Sequence, residues 1–253
     1  MDIKRILPLF LFVITLVFLE VFIYNPEMIY VSLVIICSGI FFCIWRLCKN
    51  SKKAKDWYYF LFLPITFLIS AVAFSTLSGN RFLTHFIIIL TSIFIYIYIR
   101  TVFNYLYKRF QYKNLSLENI SSYGNFLAFF FMSATVFGLQ SFLNITIWYT
   151  IIIIMVGSLL ILMQMMWVNN VKSSERFVYL VLGAFVLVEL AWSISYLPSN
   201  FLVSGFVLSV CYYMLIGLTR FHLLKELNKR IIKLYLGFGL SSILIVLLTA
   251  RWL

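Results

Sequence analysis

The sequence predicts an all-α protein, a polytopic integral-membrane helical bundle of about nine transmembrane helices with a cytoplasmic amino terminus and an outside carboxyl terminus. Three observations predict it. With 64% apolar residues, 11% charged residues and a mean hydropathy of +1.04, too little polar surface remains for a domain bathed in water. Nine apolar runs recur along the 253 residues, each near the roughly 20 residues needed to cross a hydrocarbon core of about 30 Å. Eighteen of the 20 Lys and Arg residues fall in alternate gaps between those runs, the bias that holds basic loops in the cytoplasm. The runs lack barrel-type alternation, so helices are the structure that satisfies the backbone in lipid.

The first span, 6–24, follows Lys4 and Arg5. No Ala precedes Ala54 and no small-x-small site follows the run, so it reads as an uncleaved anchor. A turn at Asn25–Glu27 leads to the second span, 28–46, which ends at the inner cations Arg46, Lys49, Lys52, Lys53 and Lys55. The third, 57–77, starts at Trp57, Tyr58 and Tyr59 and turns at Ser78–Asn80 into the fourth, 82–100. Around residues 101–122, with Lys108, Arg109 and Lys113, the residues Phe103, Tyr107 and Phe110 share a helical face; this predicts an interfacial helix on the inner leaflet. The fifth and sixth spans, 123–143 and 147–168, meet at Asn144–Thr146. Lys172 and Arg176 precede the seventh, 177–197, and Pro198–Asn200 turns it into the eighth, 201–219. Arg220, Lys225, Lys229, Arg230 and Lys233 mark the inner entry to the ninth, 231–250, leaving only Arg81 and Arg251 outside. Trp45 and Trp167 at inner edges, and Tyr24, Trp148 and Tyr149 at outer ones, form interfacial belts.

The net charge of +12 is thus mostly a topology signal. Its expected partners are membrane lipids, in particular anionic inner-leaflet headgroups, and inner loops this short argue against nucleic acid. Cys37, Cys43, Cys48 and Cys211 lie in or beside spans, so no disulfide, metal or cofactor is implied. The cell membrane of a bacterium is the expected location.

Self-comparison at an offset of 119 to 120 residues aligns Asn25 with Asn144, Tyr30 with Tyr149, Tyr59 with Tyr179, Ser75 with Ser195, Asn80 with Asn200, Phe86 with Phe206 and Arg100 with Arg220. These matches predict one transmembrane domain, 1–253, containing repeat A (1–121), repeat B (122–230) and an extra helix (231–253). Four spans per repeat would make it a parallel duplication. The competing reading is convergence of apolar sequence on similar turns.

Ionisable side chains in hydrocarbon cost roughly 2.5–3.5 kcal/mol on insertion scales. Glu189 lies about nine residues before Pro198, and Glu20 and His85 lie near outer turns. Glu189, Trp192, Ser193 and Tyr196 share a face of the seventh span, expected to point into the bundle. Arg81, His85, Ser92 and Tyr96 form a seam on the fourth, and Ser133, Gln140 and Asn144 one on the fifth. Together they predict an outward-facing polar cavity with Glu189 at its floor, His85 and Arg81 on one wall, Glu20 and Gln140 near the rim, and Trp192, Ser193 and Tyr196 alongside. The competing reading makes Glu189 a packing residue, His85 interfacial, and Arg81 and Glu20 outward-snorkelling.

No HExxH, GxSxG or phosphate-cradling Gly-rich motif is present, which weighs against an enzyme. Convergence of the polar groups ranks a small transporter or translocator first, for an ion, small solute or lipid-like molecule. A non-catalytic assembly or scaffold protein is the alternative, and a membrane-embedded transferase acting on a lipid-linked substrate comes third.

Overall fold

The computed structural model describes residues 3–49, 57–107, 116–169, 173–223 and 225–250. Among them every regular element is helical: α1 (Ile3–Tyr24), a 3-10 turn (Pro26–Met28), α2 (Ile29–Cys48), α3 (Tyr59–Leu77), α4 (Arg81–Tyr107), α5 (Ser116–Leu143), α6 (Ile147–Val168), α7 (Ser173–Ser195), α8 (Phe201–Leu223) and α9 (Lys229–Thr249). Nine helices among the described residues are long and apolar enough to cross a membrane, and on that basis the chain is a multi-pass membrane protein. Lipid leaves each backbone amide and carbonyl to find its partner within the chain. Pro8 and Pro64 sit inside α1 and α3, where each removes one helical donor.

Helix ends use local polar chemistry. Phe82 N–H donates to Asn80 Oδ1 (2.9 Å) and Leu202 N–H to Asn200 Oδ1 (3.1 Å), so these two asparagines cap α4 and α8 in the same way. At the far end of α5, Asn144 adopts φ 49°, the left-handed conformation that closes many helices.

One correction concerns the predicted interfacial helix. Phe103 and Tyr107 belong to α4, which continues unbroken past Arg100, while Phe110 lies outside the described residues. Tyr107 donates its hydroxyl to the Leu47 carbonyl at 2.7 Å, a tie from α4 to the end of α2 that favours continuing the helix.

The chain divides into two compact units, Met1–Asn125 and Phe126–Leu253. In the first, α1 packs on α2 and α4, and α3 on α2 and α4. Its buried core includes Leu11, Ile36, Leu63, Phe67, Ile95 and Tyr98. Phe67 stacks on Phe94 with centroids 4.1 Å apart, and Tyr98 donates to the Phe60 carbonyl.

In the second unit α6 packs on α7, α7 on α8, and α8 on α9. Ser133 of α5 donates its hydroxyl to the Gly205 carbonyl of α8 at 3.1 Å, and Phe129 stacks on Tyr212 at 4.5 Å. A Cβ on Gly205 would stand 2.7 Å from the Ala134 Cα and amide nitrogen, so absence of a side chain sets how closely α5 and α8 approach.

Gly205→Ala is therefore expected to cost about 1–3 kcal/mol, because backbone rather than a flexible side chain must yield. Gly237→Ala in α9, where a Cβ meets nothing within 4 Å, should cost nothing. Thermal unfolding of both variants in one detergent checks the contrast.

Candidate functional site

The predicted site residues fall in two separate sets. Glu20, His85 and Arg81 belong to the first unit; Gln140, Glu189, Trp192, Ser193 and Tyr196 belong to the second.

In the first unit α1 and α4 run antiparallel and bring Glu20 to His85. The imidazole Nδ1 stands 3.1 Å from Glu20 Oε1 and 3.0 Å from Oε2, with the His85 and Glu20 side chains 37% and 27% exposed. Proton placement between them follows the imidazole tautomer, and a protonated ring makes this an ion pair. Arg81, one turn before His85, is exposed. Ser92 is fully buried and donates to the Ile88 carbonyl, and Thr15 on α1 is equally buried. The middle of the α1–α4 seam is therefore closed.

The same seam opens again at its other end. Phe12 meets Tyr96 edge-on at 6.1 Å, and beyond them lies a cavity of about 190 Å³ lined by Arg5, Pro8, Leu9, Tyr96, Arg100, Phe103 and Asn104. Arg100 Nη1 donates to the Tyr96 hydroxyl at 2.9 Å. Fifteen residues separate Glu20 from Arg5 on α1, and fifteen separate His85 from Arg100 on α4. At 1.5 Å per residue the two ends stand about 22 Å apart, most of a hydrocarbon thickness of roughly 30 Å. From the sequence alone the α4 seam ends at Tyr96, and Arg5 and Arg100 read as topology signals. Two further steps of four, to Arg100 and Asn104, were the missed signal.

In the second unit the Glu189 face differs from expectation. Glu189 is exposed, as are Phe185, Trp192, Ser193 and Tyr196, so this face points away from the packed helices. The reason is on the opposite side of α7, where Gly183, Ala184, Leu187, Ala191 and Ile194 are buried. Small residues at helical spacing let α7 close against its neighbours, and Glu189 lies about 200° round the helix from both Leu187 and Ala191. Ser193 donates to the Glu189 carbonyl oxygen and Trp192 Nε1 to the Tyr196 hydroxyl. Among the described residues no hydrogen bond or ion pair holds the Glu189 carboxylate. Gln140 accepts from Thr150 across the α5–α6 turn at 3.3 Å, and Ser133 serves the α5–α8 contact, so the α5 seam goes into helix packing.

A double-mutant cycle on Glu20→Gln and His85→Gln measures the clasp directly. Its coupling energy is expected at about 0.2–1 kcal/mol, the range for partly exposed pairs, read from unfolding in detergent. A coupling of zero would make the 3 Å approach energetically empty.

Among known proteins, the model of one protein family, described as "Protein of unknown function (DUF5656)", matches residues 17–249. That match runs from the middle of α1 to the end of α9 and includes Glu20, His85, Arg100 and Glu189, while Arg5 precedes it. No curated protein and no solved structure matches the chain.

Proposed function

The chain belongs to the DUF5656 family, and we propose that it is a small translocator that moves an anionic or lipid-like molecule along the seam between α1 and α4. One observation carries this reading: the seam bears polar, charge-bearing groups at both ends of its transmembrane length, with a closed middle between them. Glu20 and His85 clasp one end, Arg5 and Arg100 line a cavity at the other, and Ser92 lies buried between.

A mechanism follows from the chemistry of these groups. An anion arriving at the Glu20 end competes with the Glu20 carboxylate for the His85 Nδ1–H, with Arg81 one turn away on the same helix adding attraction. Release of Glu20 unfastens α1 from α4 at that end. Ser92 and Tyr96 then offer hydroxyls along the parted seam, and the guanidinium groups of Arg100 and Arg5 receive the anion. Because Ser92 is fully buried, passage requires α1 and α4 to separate, and the clasp limits when they do.

Reconstitution into liposomes containing a phospholipid with a fluorescent headgroup tests this. Wild-type protein is expected to expose the inner-leaflet label to an impermeant quencher, and Glu20→Ala with His85→Ala to change that rate by up to about fivefold, as loss of about 0.2–1 kcal/mol at a gating contact would. Movement no faster than in protein-free liposomes, from protein that is folded, would sink the reading.

A second reading, assembly with another membrane protein, is favoured by the exposed position of Glu189 in α7. A carboxylate facing lipid is costly, and a partner helix that presents a basic or hydrogen-bonding side chain relieves the cost. On that reading Glu189→Leu abolishes, and Glu189→Gln weakens, a complex isolated in mild detergent, with translocation unchanged. Equal recovery of the complex from all three proteins would remove it.

A further inference from the structure

We propose that the cavity at the Arg5 end of the α1–α4 seam is a binding site for a phosphate-bearing headgroup, with Arg5 and Arg100 as charged donors and Tyr96 and Asn104 as neutral ones. The inference deepens the translocation reading by naming the cargo class, and it rests on that reading only for calling the ligand cargo.

The donor inventory supplies the chemistry. Each guanidinium carries five N–H donors and no acceptor. Arg100 spends one of them on Tyr96, and because the Tyr96 oxygen accepts that bond, its own O–H remains available to donate. Asn104 adds an amide donor. Among the described residues no Asp or Glu lines the cavity, and neither arginine has a carboxylate partner. Two cations sharing one recess favour an anion with several oxygens, which guanidinium forks bind in bidentate fashion.

Size and surroundings narrow the ligand. At about 190 Å³ the cavity is below the roughly 300–1,000 Å³ of pockets that enclose drug-sized ligands. It takes a headgroup and leaves the rest of the molecule outside. Pro8, Leu9 and Phe103 form its apolar wall, and Leu9 and the adjacent Phe10 are 55% and 60% exposed, a surface suited to an acyl chain. The charge bias places this end at the inner leaflet, where anionic headgroups gather. A lipid phosphate fits these features better than a soluble one.

The test measures binding without transport. Full-length protein in a neutral detergent is titrated with phosphatidylglycerol and, separately, with a diacylglycerol of the same chains, and bound lipid is counted by native mass spectrometry. Phosphatidylglycerol is expected to bind at least about tenfold more tightly than diacylglycerol, and the double variant Arg5→Gln/Arg100→Gln to lose about tenfold, in line with the loss of charge-assisted bonds. Arg46→Gln, at the corresponding end of α2 and outside the cavity, is expected to change affinity by less than about twofold, as for a screened exposed charge. Equal losses from Arg46→Gln and the double variant would overturn the site in favour of a diffuse basic surface, and so would equal binding of the two lipids. Should the double variant fail to fold, Asn104→Leu decides: a loss of about threefold or more upholds the site, and wild-type affinity overturns it. Millimolar inorganic phosphate that displaces the lipid through Arg5 and Arg100 assigns the same phosphate chemistry to a soluble source; retention of the lipid assigns it to the membrane. Binding with no movement in liposomes removes translocation and keeps the site, whereas movement indifferent to the headgroup removes the site and keeps translocation.

Discussion

A chain immersed in hydrocarbon must satisfy each backbone amide and carbonyl from within, and that requirement governs everything else in this protein. It turns the apolar runs into unbroken helices, several of which are joined, among the described residues, by short turns. There, the Asn80 and Asn200 side chains accept amides at the starts of α4 and α8, and Asn144 takes the left-handed conformation that closes α5. It also explains why α4 runs on to Tyr107. Stopping at Arg100 would have exposed four carbonyls near the membrane boundary, whereas continuing the helix satisfies them and lets Tyr107 reach the Leu47 carbonyl.

Once backbones are satisfied, apolar area no longer tells helices which faces to join, because lipid is as apolar as leucine. Steric fit decides instead. Gly205 against Ala134 sets the approach of α5 and α8, and Gly183, Ala184 and Ala191 set the packed face of α7. Polar groups then fall where steric fit leaves them. Glu20 and His85 meet because α1 and α4 pack in antiparallel register, while Glu189 ends on the exposed side because the small residues of α7 occupy the opposite one.

The α1–α4 seam and the α7 face therefore call for different chemistry. Along the seam, side chains from two helices converge within one unit and are spaced over most of a bilayer's thickness, which is why the proposed passage of an anion is drawn there. On α7 a single carboxylate stands with aromatic neighbours and no partner among the described residues, an arrangement suited to joining another helix.

The sequence by itself determined the fold class, the existence and order of the nine spans, and most of their limits, because crossing a bilayer imposes a length and a composition that can be counted residue by residue. It also singled out Glu20, His85 and Glu189 as ionisable groups in need of explanation. Only the tertiary structure decided which of them meet. Helical periodicity shows that Glu189, Trp192 and Tyr196 share a face, but which face is packed depends on small residues fitting against neighbouring helices, so the expectation that this face points inward did not hold. Likewise Arg5 and Arg100 are 95 residues apart in the chain and read individually as cytoplasmic anchors; the antiparallel pairing of α1 and α4 brings them to one cavity, a juxtaposition that arises from packing rather than from spacing along the chain.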